Sequence, residues 1–534
     1  MSKRKIISIC TVLLLAMSLL LSSCVTKTDK GADNTITKPT EGSTTISTDS
    51  VKLSEKPSGK LTIWVKYGGT PPEGYESFND TPFVQELRRL SGVDVEFICP
   101  PTGQDKEAFN LMIASREFPD IIEKPFQSEY PGGADKAIAD KVIIPLDDVM
   151  KQYNPNVLKA LEENPDVKQT IRSASGVVFA YPTIKPDPRQ LNTAGPAIRK
   201  DWLDEFDLSV PETIDEWEVA LRTFKEKKNV IPMTGRLTVL FSSGTPFAAW
   251  GAPYGEFIDN GKVYYGAIEP GFKEFLAMMN AWYKDGLLDP NIASLDRKTE
   301  VSNMVDGRAG SMYTANASSG VGEYNIAGKK VDPKYSVVGT KYPVLKKGDV
   351  PKFGIKTDPG MGYAQITIAC KNVELAAYFM DFVFSEEGSR LYNFGIEGKT
   401  YEMVNGKPQY IKIDGNLNDS IALYSKRDNR VGIVDGDAYV QTLTVKEAQD
   451  ALGLWAFNNM PQNEIKGYWL NETEAGENAK LRTDLNTYAQ EMIFKYIVGG
   501  ASLDTFDTEF VPQMKKYGVT KIVENIQKAY DRNK

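Results

Sequence analysis

Lys60-Leu61-Thr62-Ile63-Trp64-Val65 is the point at which the chain starts to read as folded protein. Apolar and polar residues alternate across it as they do along a strand with a buried face. Thr81 and Pro82 then open a helix that runs through Leu90, with Thr at the N-cap and Pro in the first turn. Ser91-Gly92 stops it. A second alternating strand follows over 93–98, then an amphipathic helix over 106–115. Phe118-Pro119-Asp120-Ile121-Ile122 reads as a short buried strand behind a turn. This β-α-β-α rhythm predicts a mostly parallel sheet with helices on both faces.

The rhythm continues downstream. Strands are predicted at 177–182, 309–313 and 361–369, and helices at 134–139, after Asp147-Asp148, from Arg199, from Thr213 to Lys227, at 273–283 and at 374–384. Residues 414–437 are polar and irregular, and the last hundred residues are helical, punctuated by Gly499-Gly500 and Pro512. No internal repeat is visible. The part from Lys60 to Lys534 exceeds the ~250–300 residues at which single cores stop growing, so two lobes are expected.

Upstream of Lys60 the chain is of another kind. Lys3, Arg4 and Lys5 precede an apolar run from Ile6 to Leu21, and Leu21-Ser22-Ser23-Cys24 follows. A basic start, a short apolar stretch and small residues before a cut site make up a secretory signal. The last four residues resemble a bacterial lipobox. In such signals the cysteine, here Cys24, takes a diacylglycerol and becomes the new N-terminus. Residues 25–59 are rich in Thr, Ser, Lys, Asp, Gly and Pro. They cannot bury enough apolar surface to offset the entropy of ordering, and they read as a tether.

Composition removes whole classes of function. The apolar and charged fractions, 41 % and 25 %, are those of a globular protein. A net charge of −8 argues against a nucleic-acid partner, which needs a basic face. Histidine is absent, so Ser-His-Asp and Cys-His dyads and His-based zinc motifs are excluded. No nucleophile elbow, phosphate-binding loop or dinucleotide fingerprint occurs. A paired-carboxylate glycosidase stays open. Cys99 and Cys370 are the cysteines left for the folded part; a disulfide between them stays open, two buried free thiols are the plainer reading, and they are too few for a zinc or cluster site. Asp414, Asn416, Asn418 and Asp419 offer oxygen ligands of the kind calcium takes, with a solvated loop as the plainer reading, so no metal is assigned. No cofactor is expected.

An ordered series of blocks carries a family likeness. Leu61-Thr62-Ile63-Trp64, Phe118-Pro119-Asp120-Ile121-Ile122, Gly176-Val177-Val178-Phe179-Ala180-Tyr181-Pro182, Arg199-Lys200-Asp201-Trp202-Leu203 with Pro211-Glu212-Thr213-Ile214-Asp215-Glu216-Trp217, and Gly307-Arg308-Ala309-Gly310-Ser311-Met312 resemble successive segments of the extracellular solute-binding proteins that feed ABC importers, in the carbohydrate-binding group. Trp282-Tyr283-Lys284-Asp285-Gly286-Leu287-Leu288-Asp289-Pro290 and Gly395-Ile396-Glu397-Gly398-Lys399-Thr400-Tyr401 are similar to the large lipoproteins of Gram-positive bacteria within it. The likeness covers most of the chain from Lys60 to about Tyr401.

The resemblance implies a two-lobed α/β fold of the type II periplasmic-binding-protein kind, with a ligand cleft between lobes. It implies a signal at 1–23, a tether at 24–59 and a solute-binding part at 60–534. The first lobe is expected at 60–193 and 305–370 and the second at 194–304, with C-terminal helices over 371–534 packing on both. The expected protein is a non-catalytic monomer, lipid-anchored on the extracellular face of the cell membrane. It would capture an oligosaccharide and deliver it to an ABC permease. A non-sugar solute such as a peptide, or an acidic sugar, is the alternative ligand; an extracellular carbohydrate-active enzyme and a surface adhesin are the alternative classes.

Sugars ask for flat aromatics against their apolar faces and planar polar groups at their hydroxyl rims. The candidate ligand residues are Lys66 and Tyr67 after the first strand, and Glu123 and Phe126 after the Pro-Asp block. Trp250 and Tyr254 come from a Gly/Pro-rich loop, and Tyr313 and Asn316 follow Gly-Ser-Met. Trp455 lies in the late helical region, and Arg199 follows the first crossing. Trp64, Trp202, Trp217 and Trp282 sit at core spacing and are read as packing.

Overall fold

The alternating stretch at the start of the fold becomes strand β1 (Lys60–Val65), almost wholly buried beyond its first residue. The computed structural model describes residues 57–66, 74–242, 245–354, 360–411, 417–426, 430–456 and 469–532. Cys24, the signal, nearly all of the tether, Tyr67, Asp414 and Asn416 therefore lie outside the described residues, as do the side chains of Asn418 and Asp419.

β1 pairs in parallel with β2 (Asp94–Ile98) on one side and β3 (Ile121–Glu123) on the other. A side chain fixes that register: Asp120 Oδ2 accepts hydrogen bonds from the Thr62 backbone N–H at 2.8 Å and its hydroxyl at 2.7 Å. The aspartate of the Pro-Asp block is thus a clamp between strands. β4 (Tyr181–Ile184) belongs to the same sheet.

Leaving β4, the chain passes to a second sheet made of β5 (Ala194–Arg199) and β6 (Ile231–Thr234). A side hairpin, β7 (Glu256–Asp259) with β8 (Lys262–Tyr265), comes next. β9 (Ala309–Asn316) and β10 (Val337–Gly339) complete the second sheet in the order β10-β5-β9-β6. The chain then returns to the first sheet as β11 (Gly360–Ile366), antiparallel to both β3 and β4. A small hairpin, β12 (Tyr401–Val404) with β13 (Lys407–Tyr410), precedes β14 (Gly432–Ile433), which pairs in parallel with β4. The first sheet is therefore β14-β4-β11-β3-β1-β2.

Both faces of each sheet are covered, which explains the near-continuous apolar runs in the strands. Leu61, Ile63, Val95 and Ile366 pack with Leu375, Phe379 and Met380 of helix Val373–Phe384. Trp64, Phe109, Ile122 and Phe179 form the opposite layer. In the second lobe Trp217, Phe224 and Trp282 share a core with Leu485, Ala489 and Ile493 of the long helix Glu472–Val498. Trp455, Tyr324 and Ala197 fill the other side.

Three expectations are corrected. Residues 309–316 and 337–339 hydrogen-bond within the second sheet, not the first lobe, because β9 pairs in parallel with β6 and antiparallel to β5, and β10 pairs with the other side of β5. Within the polar stretch 414–437, helix Leu417–Tyr424 forms, β14 pairs with β4, and helix Gly436–Gln441 begins. Thr81 stands at the N-cap of helix Pro82–Ser91 without capping it, since its hydroxyl donates to the Phe78 carbonyl at 2.7 Å. Gly92 does end that helix in the left-handed conformation, at φ 75°. Cys99 and Cys370 are free thiols, the former half-buried and the latter buried.

Candidate functional site

β3 runs out at Glu123 in the middle of the first sheet, flanked by β1 and β11. Parallel strands end there, and the carboxyl ends of strands are where open α/β sheets leave room for a ligand. A cavity of about 680 Å³ opens at this edge. Lys66 beyond β1, Glu123 and Lys124 at the end of β3, Thr183 in β4 and Met361 and Tyr363 in β11 contribute to its wall. Gln190 and Thr193 reach it from the crossing into the second lobe, Arg430 and Val434 from either side of β14, and Tyr439 from helix Gly436–Gln441. The volume falls within the ~300–1,000 Å³ of small-molecule pockets.

The wall is charged, and the charges are organised. Glu123 is 1 % exposed, and its Oε2 accepts from Lys426 Nζ at 2.5 Å. Lys124, also buried, lies 3.4 Å from Glu129 and 3.7 Å from Asp105, with its ammonium over the Phe109 ring at 5.2 Å. Lys66 meets Asp105 at 3.2 Å. Arg430 donates to Asn393 Oδ1 at 2.5 Å and to the Ile433 carbonyl at 2.7 Å, which ties it to β14. Burial works to raise the Asp105 carboxyl, but the hydrogen bond and charge of Lys66, with the charge of Lys124, hold it below its ordinary value. Burial and the carboxylates of Glu123, Asp105 and Glu129 push the Tyr363 hydroxyl up. Burial lifts the nearby Cys99 thiol to about 11, opposed by Lys426 and aided by Glu123. The thiol therefore stays protonated at neutral pH and is a poor nucleophile.

Of the candidate ligand residues, Lys66 and Glu123 line this cavity. Phe126 is fully buried, edge-on to Phe109 and stacked on Tyr130. Arg199 is 3 % exposed, bonded through two nitrogens to Asp201 and sandwiched between Trp202 and Tyr335 at 4.1 and 4.2 Å. Tyr313 stacks on Phe247 inside the second core. Trp250 and Tyr254 are half-buried against that same core, Tyr254 edge-on to Phe241. Asn316 caps the turn after β9, accepting from the Ser318 N–H at 3.1 Å. Trp455 is fully buried and donates its indole N–H to the Thr340 carbonyl at 2.9 Å. None of these seven is among the residues that line the cavity.

Sequence reasoning missed Asp105, Lys124, Glu129, Thr183, Tyr363 and Arg430. For Lys124 the available signal is its place next to Glu123 at the strand end; Asp105 and Glu129 come from helices Asp105–Ser115 and Phe126–Glu129, which position at a strand end does not mark. Among the described residues no cluster of acidic or cysteine side chains is arranged to hold a metal ion, and no helix is long and apolar enough to cross a membrane.

Comparison with known proteins adds to this geometry. The sequence model of the family described as bacterial extracellular solute-binding protein matches residues 82–390. The chain is 25 % identical, over 99 % of both chains, to the fructooligosaccharide ABC transporter substrate-binding protein FusA of Streptococcus pneumoniae serotype 4 (strain ATCC BAA-334 / TIGR4). It is 24 % identical to lipoprotein LipO of Bacillus subtilis (strain 168), over 61 % of this chain and 65 % of that one. Among solved structures, alginate-binding protein AlgQ2 without calcium ion superposes with a TM-score of 0.66 at 23 % identity, over 90 % of this chain and 99 % of that one. The two-lobed α/β fold is thus shared with solute-binding proteins.

Proposed function

Because the chain belongs to the bacterial extracellular solute-binding protein family, we propose that it captures an oligosaccharide outside the cell and delivers it to an ABC importer. The observation that carries this reading is the cavity of about 680 Å³ at the strand ends of the first lobe, walled by hydrogen-bonding groups on rigid elements. Such a wall suits a polyhydroxylated ligand, whose rims need many donors and acceptors. The FusA relative, named for fructooligosaccharide, supports the ligand class. Its action is binding without catalysis, as a monomer, and the permease supplies the transport step.

The same reading covers location. The signal-like start and Leu21-Ser22-Ser23-Cys24 support export, with a lipid on Cys24 holding the protein at the outer face of the cell membrane. The lipoprotein relative LipO agrees with this. Residues 25–59 then serve as the tether.

Thermal unfolding in the presence of an oligosaccharide panel tests the binding. At a ligand concentration about 100 times Kd, mass action adds about 2.7 kcal/mol of stability, which moves the midpoint by degrees. A shift with the sugar recovered intact is the expected result. Release of reducing ends would replace the binding reading with an enzyme. Cys24→Ala is expected to move the protein from the membrane fraction to the medium with its sugar affinity unchanged.

A further inference from the structure

Arg430 reaches the cavity wall from just ahead of a very short strand. β14 is two residues long, paired with Thr183 and Ile184 of β4. Two ladder steps set a backbone but do not fix a long side chain beside it. Asn393 supplies what is missing. It lies at the end of helix Glu386–Phe394, is buried, and is not among the residues that line the cavity. Its Oδ1 accepts from Arg430 Nη2 at 2.5 Å and from the Asp435 N–H at 2.8 Å. Its Nδ2 donates to the Ile433 carbonyl at 2.9 Å and to the Ser389 carbonyl at 2.8 Å. An amide has two acceptor sites and two N–H groups, and all four are used here. Arg430 Nη2 also donates to the Ile433 carbonyl at 2.7 Å, and the guanidinium lies over the Tyr392 ring at 5.6 Å. An apolar side chain would fill a buried helix position without needing partners. An amide belongs where the groups it serves would otherwise be left unpaired.

We infer that Asn393 is a positioning residue for ligand binding: without touching the ligand, it holds the Arg430 guanidinium where an occupant of the cavity meets it. The inference rests on the oligosaccharide reading above and deepens it. Arginine carries its N–H donors in a planar fork, which suits the paired oxygens of a sugar ring or of a uronate carboxylate. Its long side chain has many rotamers to lose when it is ordered. Held beforehand by Asn393, it meets the ligand already in place, so binding is spared that entropy loss.

Calorimetric titration of the full-length protein with kestose, maltotriose and trigalacturonate provides the test, carried on with whichever of them the natural protein binds most tightly. All titrations are run below the unfolding transition of every variant, so that folded protein is compared with folded protein. Arg430→Met is expected to weaken binding about tenfold or more, and Asn393→Ala about fivefold or more. In the Arg430→Met background, adding Asn393→Ala is expected to change affinity by less than about twofold. In the Lys66→Met background, the full loss from Asn393→Ala is expected to return. Non-additivity confined to Arg430 is the mark of a residue that acts through it, whereas a general loosening of the wall would weaken binding equally in both backgrounds. Asn393→Ser, which keeps a hydroxyl but is too short to span Arg430 and Asp435, takes the place of the alanine variant should that one fail to fold. Unchanged affinity in the Asn393 variant or in Arg430→Met, or an equal loss in both backgrounds, would overturn the inference and leave the oligosaccharide reading standing. If no oligosaccharide binds the natural protein, the reading itself falls and takes the inference with it.

Discussion

The two lobes spend similar side chains on different tasks. In the second, Arg199 is closed off by Asp201, Trp202 and Tyr335, and Tyr313 lies flat on Phe247. Trp217, Trp282 and Trp455 are fully buried. In the first, Lys66, Asp105, Glu123, Lys124 and Tyr363 stand round an open cavity at the strand ends. Aromatics bury about 150–250 Å² each, so a large lobe draws them into its cores first. A tryptophan in a loop or late helix is therefore weak evidence of a ligand. The charged wall of the proposed site thus draws chiefly on the first lobe.

The strongest way to break that contrast is Trp455→Ala. Its ring presses on Gly195 and Gly339, where an added Cβ would come within 2.4 and 2.9 Å of it, so the three residues are fitted to one another. Loss of the ring should cost about 3–5 kcal/mol, read as a lower urea midpoint, while the folded fraction binds sugar as before. Lost affinity at preserved stability would return Trp455 to the ligand site. Tyr363→Ala should do the reverse. The ring is half-buried on the cavity wall, so affinity should fall about tenfold, equivalent to about 1.4 kcal/mol, with a smaller change in unfolding midpoint. Equal sugar affinity in the variant and the natural protein would remove Tyr363 from the site.

Much of the scaffold was legible because it obeys local rules. The strand at 61–65, the helix stopped by Gly92 and the helix begun at Thr213 match Lys60–Val65, Pro82–Ser91 and Ile214–Lys228. Phe118-Pro119-Asp120-Ile121-Ile122 reads as strand, and the pairing begins at Ile121, with the Asp120 side chain clamping Thr62 just before it. Partition between lobes was less legible. Whether residues 309–316 join the first or second sheet depends on long-range pairing with β5 and β6, which no local pattern encodes. Of the candidate ligand residues, Lys66 and Glu123 are the two that line the cavity of the proposed site. Lys426 stayed hidden because it joins Glu123 across 303 positions of sequence.

The mildest prediction concerns a purely structural charge in the second lobe. Glu216 closes a capping box at helix Ile214–Lys228. Its carboxylate accepts from the backbone N–H of Glu212 at 2.7 Å and of Thr213 at 3.2 Å, and the Thr213 hydroxyl accepts from the Glu216 N–H at 3.2 Å. The bond from Glu212, then that from Thr213 and the charge of Lys347, outweigh burial and hold the Glu216 carboxyl below its ordinary value. Its side chain is 39 % exposed, so solvent screens the Lys347 contact and the backbone bonds carry the effect. A depressed carboxyl contributes stability that is present above its unfolded pKa of about 4.3 and is lost as pH falls through the folded value. Glu216→Ala should therefore cost about 1 kcal/mol at pH 7. The gap to the natural protein should narrow steadily below about pH 4, as read by urea unfolding across that range. Sugar affinity should not move, because the group serves the helix and lies outside the cavity wall. A gap that stays constant with pH would assign the loss to packing instead of the carboxylate.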